Sequence, residues 1–186
     1  IVTSPIMLIT ALAIKLYDGG PVFYTQDRLT RDGKVFKVYK FRSMKTDAEK
    51  DGVARLAGEH DDRITPVGRV IRKVRIDELP QLLNILKGDM SIVGPRPERP
   101  ELASENEKIM PEFRYRLKVK AGLTGYAQVL GKYNTTPYDK LRLDLMYIEQ
   151  YSLLLDIKLI LMTIKILFIP ESTEGVKDDN SSGTAL

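Results

Sequence analysis

An acidic pair, Asp77-Glu78, follows Arg72 and Arg75 by less than two helical turns and precedes the turn Gly94-Pro95-Arg96-Pro97. Carboxylates beside guanidinium forks suit phosphoryl transfer. One acid attacks phosphorus, a neighbour holds a divalent ion, and arginines offset charge on the transferring group. Mg2+ suits such a site because it takes few carboxylates and completes its shell with water and phosphate oxygens. Prolines on both sides of Arg96 stiffen the backbone that presents it, and a pre-oriented guanidinium is a two-pronged phosphate clamp. The plainer reading is structural: Asp77 stands where a helix N-cap belongs, with Glu78 and Pro80 in the first turn. The chain has no cysteine, and its one histidine, His60, reads as an exposed loop residue rather than a base. No glycine-rich loop ends in Gly-Lys-Ser/Thr, which argues against a P-loop enzyme.

Several elements must hold these groups. Glu78 to Lys87 is predicted helical, with Leu79, Leu82, Leu83 and Leu86 at three-four spacing and Gly88 as its stop. Arg69 to Arg75 reads as a basic helical turn. Upstream, Val22–Leu29 and Lys34–Phe41 flank Thr30-Arg-Asp-Gly33 and predict a hairpin, with Val35, Val38 and the aromatics inward and Lys34, Lys37 and Lys40 wet. Downstream, a helix is expected from Ala103 to Leu117, a tight loop at Ala121–Gly125, a strand from Tyr126 to Leu130, and one long helix from Pro137 to Phe168. The stretch Thr46–Asp62 is polar and acidic, a short helix within a loop.

A length of 186 residues with 43% hydrophobic and 29% charged side chains fits one folded domain. The absence of cysteine excludes disulfides and thiolate metal sites. A net charge of +4 is too weak to imply nucleic acid, but the basic stretches Lys34–Lys45 and Arg63–Arg75 suit a phosphorylated ligand or anionic lipid headgroups. Ile1–Leu16 is apolar yet shorter than the ~20 residues a spanning helix needs, and Pro5 would kink or break a helix running through it. A buried core helix leads on these grounds, against the tail of a spanning helix or half of a re-entrant one. Leu153–Phe168 carries only Asp156, Lys158 and Lys165 as charges, so it lies in a core or at a membrane interface.

Taken together, Asp77-Glu-Leu-Pro-Gln81, Lys87-Gly-Asp-Met-Ser91 and Gly94-Pro-Arg-Pro97 resemble the signature of the bacterial sugar transferases, monotopic polyprenyl-phosphate phosphoglycosyltransferases. Asp18-Gly-Gly-Pro-Val-Phe-Tyr24, Lys40-Phe-Arg-Ser-Met44 and Gly122-Leu-Thr-Gly-Tyr-Ala-Gln128 match the same family, so the resemblance runs from Ser4 to Phe168. It implies ping-pong chemistry. Asp77 would attack the sugar-linked phosphate of a UDP-sugar, expel UMP and carry a phosphosugar to a polyprenyl phosphate, typically undecaprenyl phosphate, initiating polysaccharide or glycoconjugate synthesis. Glu78 matches the second member of the dyad, with Mg2+ at Asp77 and Glu78. Arg72, Arg96 and Lys132 fall among the substrate-binding positions. Lys132 stands where many members carry arginine, which keeps the charge but loses the fork. Arg75 replaces a small hydroxyl residue.

The resemblance also implies a re-entrant helix broken at Ser4-Pro5, reversing the core-helix reading, and a place on the cytoplasmic face of the bacterial inner membrane. The expected architecture is α+β and mainly helical, with a re-entrant membrane helix, one β-hairpin and amphipathic interface helices. It divides into a membrane segment at 1–16, read as truncated at its start, a catalytic domain at 17–169 and a polar, disordered tail at 170–186. Expected partners are a UDP-sugar, polyprenyl phosphate and membrane lipid, with no nucleic acid and room for a homo-oligomer. Two rivals remain: a hydrolase forming an aspartyl-phosphate on a soluble substrate, and a non-catalytic membrane-surface module. The first leaves the apolar ends unexplained, the second the acid pair and the Pro-Arg-Pro turn.

Overall fold

The computed structural model describes residues 2–48, 61–131 and 135–167. His60, Lys132, the tail and most of the acidic loop lie outside the described residues. The order is α1 (Ser4–Asp18), β1 (Phe23–Leu29), β2 (Val35–Phe41), α2 (Pro66–Lys73), α3 (Gln81–Lys87), β3 (Ser91–Val93), α4 (Pro100–Ile109), β4 (Gly122–Thr124), α5 (Tyr126–Leu130), α6 (Pro137–Glu149) and α7 (Leu153–Leu167). Short 3-10 helices occupy Arg31–Gly33, Ile76–Glu78 and Pro111–Lys118. The architecture is mixed helix and sheet, with β1 and β2 antiparallel and β3 and β4 parallel.

The hairpin forms as its turn chemistry requires, but its faces differ from the expectation. Phe36 and Val38 are buried with Met90, Val35 is exposed, and Lys40 shares the Phe36–Val38 face by strand alternation. Lys40 is therefore drawn inward instead of staying wet; its side chain is 22% exposed. Phe41, on the opposite face, stacks on Phe23 and packs with Ile14 of α1 and Ile71 of α2. The free edge of β2 is closed by a side chain. Asn84, fully buried, accepts from Tyr39 N at 3.0 Å and donates to Lys37 O at 2.8 Å, as a neighbouring strand would.

That role corrects the reading of the Glu78–Lys87 segment. Regular helix begins only at Gln81, so Asp77 is no N-cap; it lies in the 3-10 turn before it. The buried face carries Pro80, Gln81 and Asn84, while Leu83 and Leu86 are 41% and 84% exposed. Asn84 turns inward here because the β2 edge needs its amide. The helix still stops at Gly88, whose φ of 83° suits glycine.

Three further segments depart from the expectation. Ala103–Leu117 is not one helix, since Pro111 interrupts the ladder and the chain continues as a 3-10 helix. Tyr126–Leu130 is helical, because Tyr126 and Val129 pack on the core of Val93, Tyr147 and Leu159. The strand is Gly122–Thr124 instead, paired with Ser91–Val93. Pro137–Phe168 breaks between Glu149 and Leu153, where Ser152 accepts from Leu155 N at 3.3 Å and starts α7.

No described helix is long and apolar enough to cross a membrane. In α1, Pro5 sits in the first turn, where its missing N–H costs nothing. Thr10 and Ile14 are buried, whereas Leu8, Leu12 and Leu16, stacked at intervals of four, are 63%, 52% and 84% exposed.

Candidate active site

The acidic pair owes its position to the end of α2. That helix starts at Thr65, whose hydroxyl accepts from Gly68 N at 2.9 Å, with Pro66 in the first turn. Helical geometry ends at Lys73, and Arg75 adopts a left-handed conformation with φ 55°. For a side chain with a Cβ this is strained by about 1–2 kcal/mol. The reversal turns the chain sharply into Ile76–Glu78, so Asp77 and Glu78 face the hairpin instead of continuing along α2.

Lys40, one of the inward residues of β2, donates from Nζ to Glu78 Oε1 at 2.9 Å. Arg96 Nη2 approaches the same oxygen at 3.5 Å. The two side chains of the Lys40–Glu78 pair are 22% and 17% exposed, so their attraction is only partly screened. Burial alone would push the Glu78 carboxyl up. Lys40, Arg96 and Arg75 outweigh it and hold Glu78 well below the usual carboxylate range.

Asp77 behaves oppositely. Burial, and then the charge of Glu78, raise its carboxyl from the ordinary 3.8 to about 6, against the pull of Lys40 and Arg72. It makes no ion pair among the described residues. Two neighbouring acids are thus driven apart: one is locked as an anion by cations, the other is unusually basic for a carboxylate yet mostly ionised at neutral pH.

Arg96 reaches the pair through a close backbone crossing. A Cβ on Gly122 would lie 2.1 Å from Gly94 N, and one on Gly94 would lie 2.4 Å from Lys120 O. Only glycine at both positions lets β3 and β4 approach where the Pro95–Pro97 turn leaves the sheet. Beside it lies a shallow cleft lined by Lys40, Glu78, Gln81, Arg96, Gly122 and Leu123 among others. Of the acidic pair it is Glu78 that lines this cleft.

Of the residues singled out from sequence, Arg96 comes to Glu78, and Arg72 acts on the adjacent Asp77 through its charge. Lys132 lies outside the described residues. Arg75 contributes to the field that keeps Glu78 ionised. Lys40 was missed as a site residue, although its place two after Val38 on a strand put it on the buried face. Gln81 was also given no role, although it closes the Asp77–Gln81 motif. Among the described residues no three carboxylate or imidazole groups gather as a ready-made metal cage. Mg2+ takes only one or two carboxylates when phosphate oxygens and water complete its shell, so the adjacent Asp77 and Glu78 are compatible with it.

A carboxylate and cations thus face one cleft, and comparison with known proteins identifies the family. The family described as bacterial sugar transferase matches residues 1–170, and the chain belongs to it. It is 45% identical over 165 residues to a UDP-N-acetylgalactosamine-undecaprenyl-phosphate N-acetylgalactosaminephosphotransferase of Aeromonas hydrophila, covering 87% of this chain and 39% of that protein. It is 42% identical over 166 residues to the UDP-glucose:undecaprenyl-phosphate glucose-1-phosphate transferase of Escherichia coli, covering 87% of this chain and 36% of that one. A Bacillus subtilis relative, "Uncharacterized sugar transferase EpsL", is 41% identical over 179 residues, with 96% of this chain and 84% of the relative covered. The chain thus spans well under half of the Aeromonas and Escherichia proteins.

Proposed function

We propose that this chain is the catalytic part of a phosphoglycosyltransferase that moves a sugar-1-phosphate from a UDP-sugar to a polyprenyl phosphate. The observation that carries the reading is the split of the acidic pair: Glu78 is committed to Lys40 and Arg96, while Asp77 is basic and free of ion pairs among the described residues. Relatives named for UDP-sugar and undecaprenyl-phosphate substrates support the same reaction.

In the first half-reaction an Asp77 carboxylate oxygen attacks the sugar-linked phosphorus. The phosphoanhydride bond to UMP breaks, UMP leaves with the bond's electron pair, and an aspartyl-phosphosugar forms. Arg96 and Arg72 hold phosphate oxygens and offset charge as the bonds exchange, while Glu78 keeps Lys40 and Arg96 in place. In the second, a lipid phosphate oxygen attacks the same phosphorus, the bond to Asp77 breaks, and the carboxylate is restored. Asp77 and Glu78 are the residues that would hold Mg2+, whose contribution when bound is to neutralise the diphosphate.

Both half-reactions belong at a membrane, because the acceptor is a lipid. The exposed leucines of α1, together with Leu153, Leu154, Leu161 and Ile164 of α7, support a membrane-embedded segment and an interface helix. We place the site on the cytoplasmic face, with the α1 segment re-entrant. Cysteines introduced before and after that segment in the complete protein should label from the same side in intact cells; opposite sides would refute it.

The decisive experiment incubates the protein with a panel of UDP-sugars and no lipid. About one UMP per active site should be released, intact mass should show a phosphosugar adduct that maps to Asp77, and undecaprenyl phosphate should clear it. UMP release that requires lipid, with no trappable adduct, would favour direct transfer and demote Asp77 to a base.

A further inference from the structure

Arg96 does not hold itself in place. It lies in a turn, its side chain is 49% exposed, and its only side-chain contact among the hydrogen bonds and ion pairs described is the long one to Glu78. Yet the backbone beneath it is tied at every carbonyl. Pro95 O accepts from Gly122 N at 2.8 Å, Arg96 O from Arg116 Nη2 at 3.0 Å, Pro97 O from Arg28 Nη1 at 3.1 Å, and Glu98 O from Leu29 N at 2.9 Å. Two of these donors are backbone amides of strands. The other two are side chains, and they differ in kind.

Arg116 is only 3% exposed and sits in the 3-10 helix Pro111–Lys118. Its Nε and Nη2 both donate to Asp144 Oδ2 of α6, at 3.0 and 2.6 Å, and Nη1 lies 3.6 Å from Glu98 Oε2. Its ring-side face covers Phe113. A buried ion pair of this sort is weak evidence for stability, since the cost of dehydrating both charges offsets their attraction. Its geometry is better explained by what the fork reaches: a fixed guanidinium joins α6 to the one peptide carbonyl that carries the Arg96 side chain. We propose that Arg116, oriented by Asp144, is a positioning residue that fixes the Arg96 backbone so that its guanidinium meets the transferring phosphate. Its catalytic relevance rests on the phosphate-binding role proposed for Arg96; the clamp itself does not.

Two measurements test it in the purified, membrane-reconstituted protein. Arg116→Lys keeps the charge beside Asp144 but cannot span both Asp144 and the Arg96 carbonyl. Hydrogen exchange of the peptide covering residues 94–99 should rise by about tenfold or more, with exchange in α7 unchanged. UMP release should lose about tenfold or more in kcat with KM for the UDP-sugar within about twofold. In an Arg96→Ala background the same substitution should lower kcat little further, because the group it positions is gone. The paired variant Arg116→Met/Asp144→Leu removes both charges and should fold, yet show the same loosened turn and the same loss of kcat. Unchanged exchange at 94–99 in a folded Arg116→Lys protein, or equal kcat losses with and without Arg96, would overturn the proposal. A wild-type protein that releases no UMP from any UDP-sugar would refute the functional reading instead, and the exchange comparison would still decide the clamp.

Discussion

Lys40 Nζ lies 2.9 Å from Glu78 Oε1, so a strand residue and a turn residue far apart in sequence form the electrostatic centre of the site. The pair leaves Glu78 anionic and leaves Asp77 beside a fixed negative charge. In the proposed mechanism that asymmetry selects Asp77 as the attacking acid and sets what each substitution should do.

Asp77→Asn should abolish UMP release, because an amide is no nucleophile. It should also stabilise the fold at neutral pH. The Asp77 carboxyl titrates at about 6 when folded against an ordinary 3.8, so ionising it costs the folded state free energy. The cost is absent below 3.8, grows between about 4 and 6, and is full above; removing it should gain about 1–3 kcal/mol at pH 7. Thermal melts from pH 4 to 8 should show wild type and variant diverging as pH rises. An active, folded Asp77→Asn would end the assignment.

The same titration governs rate. In the proposed mechanism only ionised Asp77 attacks, so single-turnover UMP release should climb about tenfold per pH unit below 6 and level off above 7. A flat profile between pH 5 and 7 would mean that a different group limits the step.

Lys40→Met should cost about 1–3 kcal/mol, because Glu78 stays largely buried with one cationic contact removed. Kinetically, kcat should fall by about tenfold or more as Arg96 is drawn onto Glu78 and away from substrate. Adding Glu78→Gln to Lys40→Met should recover the melting temperature but not the rate. A Lys40→Met protein indistinguishable from wild type in melt and kcat would show that the contact is incidental.

Exhaustive chelation should stop UMP release, and Mg2+ should restore it more fully than Ca2+, which prefers a larger and more oxygen-rich shell. Undiminished turnover in a chelator would rule out the metal.

On α1, Leu12→Glu/Leu16→Glu places charge where side chains are 52% and 84% exposed, whereas Ile14→Glu buries it at a residue 3% exposed. The first should shift the protein from vesicle pellet to supernatant with little change in melting temperature. The second should destabilise the fold by about 3 kcal/mol or more. If the double leucine variant still pellets, those leucines do not face lipid.

Much of this was legible. The Asp-Gly hairpin turn, the stop at Gly88 and the approach of Arg96 to Glu78 agree with the sequence reading. Two misreadings share a cause: a partner distant in sequence overrode local pattern. Leu83 and Leu86 look like a core stripe, but Asn84 turns inward because the edge of β2 needs a donor and an acceptor. Gly122–Thr124 is too short to signal a strand, and it exists because Ser91–Val93 runs beside it. Other signals were present and under-read: Pro111 as a helix break, Ser152 as a cap, and the two-residue alternation that carries Lys40 inward.

The packing of Ile14 on Phe41 and Ile71 makes the greasy N-terminal helix part of the domain's interior as well as a candidate anchor. Asp18 at its end pairs with Arg42, which is 7% exposed. Phe41 and Arg42 directly follow Lys40 in the chain. Trimming away α1 to obtain a water-soluble fragment would therefore uncover Phe41 and strip Arg42 of its counter-charge, one and two residues from the lysine that grips Glu78. Solubility and competence are coupled in this molecule. A soluble version is better sought by recolouring Leu8, Leu12 and Leu16 than by shortening the chain.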